Sequence, residues 1–300
     1  MTSHPFRIVN VFTRDRGALT GNPLCVFERG DGLPTELMQA LARQFNLSET
    51  TFLLKPTRPG AHARVRIFTP SYEMPFAGHP TLGSAHVCRA LGLGGDQLAL
   101  DMQAGLIAVR ASGERWTLTA PPPTWRELSE SRADIAAALG LDATDIGDRP
   151  LWVKAGKEQL IVPLTSAEAV RRAAPSAERF GRIRSEDGIG MAYVFVLDDR
   201  GVSALARFFF PQGSSMLEDP ATGSATANFG GWCLATERPL PQSIEISQGE
   251  QTGRPSTLHL EVNQRREILV GGDVIELGRG TVDLARSGGA GLSASRPVDD

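Results

Sequence analysis

This chain of 300 residues has little cysteine, no excess of basic charge and no long apolar run. The three cysteines, Cys25, Cys88 and Cys233, are odd in number and widely scattered. That excludes a disulfide framework and fits reduced thiols in a cytoplasm. No Cys/His cluster stands at ligand spacing, so no metal is expected. The net charge is −3, with no notable Lys/Arg cluster, and the electrostatic footprint of a nucleic-acid binder is missing. No apolar run reaches the roughly 18 residues that a membrane helix needs. The start, Met1-Thr-Ser-His-Pro-Phe-Arg7, has neither the basic nor the apolar region of a signal peptide.

What is present is a core-forming composition, 41% hydrophobic, a length that suggests about two domains, and a repeat. Arg66-Ile-Phe-Thr-Pro70 leads through a loop to His79-Pro80-Thr-Leu-Gly83-Ser84-Ala85. Arg207-Phe-Phe-Phe-Pro211 leads through another to Asp219-Pro220-Ala-Thr-Gly223-Ser224-Ala225. One deletion aligns the two and sets His79 opposite Asp219. Two copies at so long a period indicate duplicated domains rather than a solenoid. Further matches are Gln103 with Gln248 and, loosely, the strand after Glu49 with the one after Ala192.

In chain order, β-branched alternation predicts strands at Phe6–Phe12, Leu24–Phe27, Thr50–Leu54 and Arg64–Phe68. The turn Thr20-Gly21-Asn22-Pro23 joins the first two. Leu37, Leu41 and Phe45 give one helical face after Pro34. A helix from Pro80 stops at Gly92, and a meander covers Leu98–Val109 and Trp116–Thr119. Ala120-Pro-Pro-Pro123 is the best linker. It divides an N-terminal domain, 1–122, from a C-terminal one, 123–273, with 274–284 a possible return strand to the first. The second half reads as helices near Ala133–Leu139, Ala167–Ala173 and Pro220–Thr236. Its strands are Leu151–Val153, Gln159–Pro163, Ala192–Leu197, Ala204–Phe210, Ile244–Ser247 and Leu258–Val262. Three further short strands, Ile268–Val270, Val274–Leu277 and Gly280–Leu284, close the chain. The helix after Pro220 is rich in glycine and alanine, which lowers helix propensity. It therefore needs strands packed closely around it. The polar tail 287–300 reads as disordered.

A strand that ends in a glycine-rich turn and opens a helix offers free N–H groups and a positive dipole end. Two such units face to face make an anion-binding cleft suited to a small carboxylate. His79 and Asp219 would point into it, and Glu49, at the head of an apolar strand, could join them. Three titratable groups there suit proton transfer at a substrate carbon. Plainer roles exist for each: Asp219 as an N-cap, Ser224 as a partner of local backbone, Glu49 as a surface acid. Only the duplication lifts them together.

The motifs Asn46-Leu-Ser48-Glu49-Thr-Thr-Phe52, Glu73-Met-Pro-Phe-Ala-Gly78-His79-Pro-Thr-Leu-Gly83, Glu218-Asp219-Pro-Ala-Thr-Gly223-Ser224-Ala225 and Gly253-Arg-Pro-Ser256 resemble the phenazine-biosynthesis isomerase (PhzF-like) family. The resemblance runs from about residue 6 to 284. It implies an α+β, diaminopimelate epimerase-like fold: two pseudo-symmetric domains, each a mixed, mostly antiparallel sheet curled around a central helix. It implies a proton-shuttling Glu49, with His79 and Asp219 binding and polarising the substrate. Ser48, Gly78, Gly223 and Ser224 would hold that substrate, which in the founding enzyme is trans-2,3-dihydro-3-hydroxyanthranilic acid. It also implies no cofactor and a homodimer. A two-thiol racemase on the same fold is disfavoured, because Cys88 and Cys233 lie well beyond the helix starts.

Overall fold

The computed structural model describes residues 2–284, so the tail read as disordered lies outside them. Two helices of thirteen residues, Gly78–Ala90 and Gly223–Ala235, are the axes of the fold. Around the first, Thr2–Val11 pairs with Asn22–Phe27, which runs parallel to Glu49–Leu54. Ala63–Phe68, Gln97–Met102, Gly105–Ser112 and Arg115–Thr119 continue the circuit. The long strand Ile268–Leu284 closes it, pairing with Arg115–Thr119 at one end and Thr2–Val11 at the other. Around the second helix run Thr124–Arg126, Leu151–Lys154, Glu158–Pro163, Ala192–Leu197, Ser203–Gln212, Gln242–Gln248 and Ser256–Val262. Ser256–Val262 rests on 268–271 of the shared strand. Each sheet is mixed and mostly antiparallel, and the fold is diaminopimelate epimerase-like.

Ile268–Leu284 is one strand where the sequence suggests three. Gly271 and Gly272 read as breaks, but their role is close approach. A Cβ on Gly271 would lie 2.7 Å from the Trp116 carbonyl, and one on Gly272 2.4 Å from Cδ1 of Phe12. The missing side chains let neighbouring chain segments cross at a distance no other residue allows. The small residues of the second helix act in the same way. Only Ser224 among its thirteen residues is not buried, and a Cβ on Gly231 would meet Val153 at 2.6 Å.

The repeat is real, but its register differs from the one read in the sequence. Arg66 holds Glu73 through two bonds of 2.7 and 2.6 Å. Arg207 holds Glu218 in the same way at 3.1 and 2.7 Å. Glu73 pairs across the hairpin with Phe68, as Glu218 does with Phe209. These forks equate Glu73-Met-Pro75-Phe-Ala-Gly78 with Glu218-Asp-Pro220-Ala-Thr-Gly223. Both helices then begin at the glycine, not at Pro80 and Pro220. His79 is therefore the counterpart of Ser224, and Asp219 that of Met74. The sequence match failed because the second hairpin carries three extra rungs, from Phe210–Leu217 to Gln212–Ser215. That added length brought the wrong Pro-x-x-Gly-Ser-Ala segments into line.

Candidate active site

Glu49 opens a strand that is buried along most of its length. Side chains alternate along a strand, so Glu49 shares a face with Thr51 and Leu53. Thr51 accepts a hydrogen bond from Ser84 of the first central helix at 3.0 Å. Glu49 therefore looks at the start of that helix. There its Oε2 lies 3.4 Å from Nε2 of His79. Both atoms are buried, and neither has a hydrogen-bond partner among the described residues. By the same strand pairings Thr50 matches Ala192, since each faces the phenylalanine two residues past the fork arginine. Glu49 thus corresponds to Met191, one residue from the Ala192 that the loose alignment offered.

Asp219 is not a helix cap. It ends the strand Ser215–Asp219, four residues before the helix. Its Oδ1 accepts from Asn22 at 3.0 Å and its Oδ2 from the Thr222 hydroxyl at 2.5 Å. Gln248 donates to the Asp219 carbonyl at 2.9 Å and to Oγ1 of Thr222 at 3.0 Å. Neither central helix has a side-chain cap at its N-terminus. The first intrahelical bonds run from Thr81 to Ala77 and from Thr226 to Thr222. The N–H groups of Gly78, His79, Gly223 and Ser224 precede them and form the positive ends of the helix dipoles. The two helix starts almost touch, since a Cβ on Gly78 would lie 3.6 Å from Cα of Gly223.

Burial pushes the Glu49 carboxyl up to about 8, and the charge of Asp219 adds to the effect. Burial pushes His79 down to about 3, against a hydrogen bond to the Pro23 carbonyl. That bond leaves Nε2 as an acceptor. Burial raises Asp219 only to about 6, because Thr222 and Asn22 donate to its charged form while Glu218 opposes it. Near neutrality Glu49 is protonated, His79 neutral and Asp219 ionised. The close approach of Glu49 and His79 is thus between two neutral groups rather than an ion pair.

The remaining expected residues are less central. Ser224 receives a hydrogen bond from Gln159 at 3.1 Å, so its partner is a side chain and not local backbone. Ser48 sits in the bend before Glu49 and is exposed. Sequence reasoning missed Asn22, Thr222, Gln248 and Gln159. Asn22 was visible only as part of a turn motif, Thr222 only inside the second loop motif and Gln248 only as a repeat match, and Gln159 carried no pattern. Cys88 and Cys233 occupy equivalent positions in the last turns of the helices. Each is roughly 15 Å from its helix start, and burial pushes both thiols up to about 12. Among the described residues, no three His, Cys, Asp or Glu side chains are grouped to hold a metal ion, and no helix is long and apolar enough to cross a membrane.

The family model for phenazine biosynthesis-like protein (PhzC-PhzF) matches residues 9–277. The chain is 36% identical over 281 residues to an uncharacterized isomerase of Pasteurella multocida, covering 93% of this chain and 94% of that one. It is 35% identical over 295 residues to a trans-2,3-dihydro-3-hydroxyanthranilate isomerase of Pseudomonas fluorescens, covering 94% and 100%. A Bacillus anthracis phenazine biosynthesis protein of the PhzF family superposes with a TM-score of 0.82 at 23% identity, over 95% of this chain and all of that one. The likeness spans both halves and the strand they share, and by it the chain belongs to the phenazine biosynthesis-like family and is an isomerase.

Proposed function

We propose that the protein is a cofactor-independent isomerase that moves a proton between carbons of a small cyclic amino acid such as trans-2,3-dihydro-3-hydroxyanthranilic acid. Glu49 is the general base and acid. One observation carries this reading: Glu49 presents an unpartnered, buried carboxyl oxygen beside His79 at the first of two uncapped helix starts that nearly touch. The N–H groups of Gly78, Gly223 and Ser224 take the substrate carboxylate. Asp219, kept ionised, faces the amine, and His79 polarises the reacting ring. Glu49 removes the proton from C3, the released electron pair enters the ring π system, and the same carboxyl returns the proton to C1. The product then tautomerises to an aminoketone. Three buried free thiols support a cytoplasmic setting.

The same apparatus would serve another small cyclic carboxylate, since the helix N–H groups read the carboxylate rather than the ring. Incubation of the protein with dihydrohydroxyanthranilic acid, followed by loss of substrate absorbance, tests the assignment. Turnover is expected, with kcat/KM rising about tenfold per pH unit below about pH 8 as Glu49 ionises. No turnover of this compound, with turnover of a related cyclic carboxylate, would transfer the chemistry to that substrate.

A further inference from the structure

Asn22 belongs to the N-terminal half, yet its side chain reaches into the C-terminal one. It begins the strand Asn22–Phe27, pairs with Val11 and is fully buried. Its amide nitrogen donates to Oδ1 of Asp219 and to the Ala221 carbonyl, both at 3.0 Å. Two acceptors on one nitrogen fix which way the amide faces. Thr222 is fixed by a similar argument. Gln248 donates to its Oγ1 at 3.0 Å, so the Thr222 hydrogen can only go outward, to Oδ2 of Asp219 at 2.5 Å. Gln248 in turn is oriented by the Asp219 carbonyl at 2.9 Å. Each Asp219 oxygen thus receives a donor whose direction is set by a third group.

The equivalent place in the other half has none of this. Met74 stands for Asp219 and Ala77 for Thr222, and by the strand pairings the buried Met102, not the Gln103 of the sequence match, stands for Gln248. The polar clamp exists once, opposite the half that carries Glu49 and His79. It is not needed to start a helix, since neither central helix uses a side-chain cap.

We propose that Asn22 and Thr222, backed by Gln248, are positioning residues that hold Asp219 as an oriented anion, and that this held charge adds to burial in keeping the proton on Glu49 in the empty site. The proposal rests on the proton-transfer reading above for its kinetic consequence only. The charged and titratable groups that bear on Asp219 are Glu49 from its strand and Glu218 beside it. Glu218 is held in its ion pair with Arg207 at 2.7 Å, which the clamp does not touch. Of these, Glu49 is the one left to respond to a change in Asp219. Hydrogen bonds to a carboxylate favour its charged form, and two interacting carboxyls titrate as a pair. Weakening the clamp must therefore raise the titration midpoint of Asp219 and lower that of Glu49.

The test uses the full chain with ¹³C-labelled Asp and Glu carboxyls, titrated by NMR in wild type, Thr222→Val, Thr222→Ser and Asn22→Ala. Asp219→Asn and Glu49→Gln assign the two signals. Thr222→Val keeps shape and removes only the hydroxyl, so it remains informative if Asn22→Ala folds poorly. The expected result is an upward shift of Asp219 by about one pH unit and a smaller downward shift of Glu49 in Thr222→Val. Thr222→Ser should restore both. In the same variant, the acid limb of kcat/KM moves to lower pH by the Glu49 shift. Unchanged midpoints for both carboxyls in Thr222→Val and Asn22→Ala would overturn the proposal. An absence of turnover in wild type would overturn the function proposed above, and the titrations would still decide this point.

Discussion

The two halves of this molecule share a frame and differ in what fills it. Both fork an arginine onto a glutamate, and both lay that arginine over a phenylalanine, at 5.0 Å for Arg66 on Phe68 and 4.7 Å for Arg207 on Phe209. Both start a thirteen-residue helix at a glycine. In the first half Leu24 presses on Gly83, where a Cβ would come within 2.6 Å of it. In the second half the equivalent pair is Gln159 and Asn228, joined by a hydrogen bond of 2.8 Å that leads on to Ser224. The first half supplies Glu49 and His79, where the second has Met191 and Ser224. The second supplies Asp219 and Thr222, where the first has Met74 and Ala77. The shared features set geometry, and the differences place the titratable groups to which the proposed chemistry is assigned.

That contrast can be broken at its frame first. Arg207 is more buried than Arg66, and its Nη1 also donates to the carbonyls of Val170, Arg171 and Ala173. Arg207→Met should cost about 3 kcal/mol, because it leaves a half-buried Glu218 and three carbonyls without their donor, and Arg66→Met clearly less. Urea unfolding of the two variants measures the gap. At the cleft, Asp219→Asn should lower kcat/KM roughly 10²-fold and move its acid limb below about pH 8, because the charge that raises Glu49 is gone.

A third test reads stability. The carboxyl of Glu49 is raised on folding, so the stability it supports is whole below its ordinary value and declines as pH rises toward about 8. Glu49→Gln should therefore gain on wild type by at most about 1.4 kcal/mol per pH unit across that window and level off above it. Melting temperatures from pH 4 to 9 check the sign. The smallest effect is expected from the equivalent thiols. Cys88→Ala and Cys233→Ala should leave turnover within about twofold, and a thiol alkylator should not inhibit the folded enzyme.

Much of this was legible in the sequence, for identifiable reasons. The duplication and the central helices follow from local patterns that survive without coordinates, and the same patterns singled out Glu49, His79 and Asp219 as candidates. The register did not, because hairpin length is set by cross-strand pairing rather than by any residue near the loop. Gly271 and Gly272 carry the ordinary signal of a break, and only the crossing at Phe12 and Trp116 reveals their use. Asn22, Thr222 and Gln248 are far apart in the chain and meet on one carboxylate. No periodicity records such a meeting.

The central claim is that one carboxyl, placed where the symmetry fails, carries the proton. Wild type and Glu49→Gln should be incubated with dihydrohydroxyanthranilic acid in deuterated buffer, and the rate of turnover and the deuterium at C1 of the product measured together. The account predicts a loss of about 10²–10⁴-fold in the variant, with deuterium entering C1 only as far as Glu49 exchanges with solvent in wild type. Undiminished turnover by Glu49→Gln would contradict it.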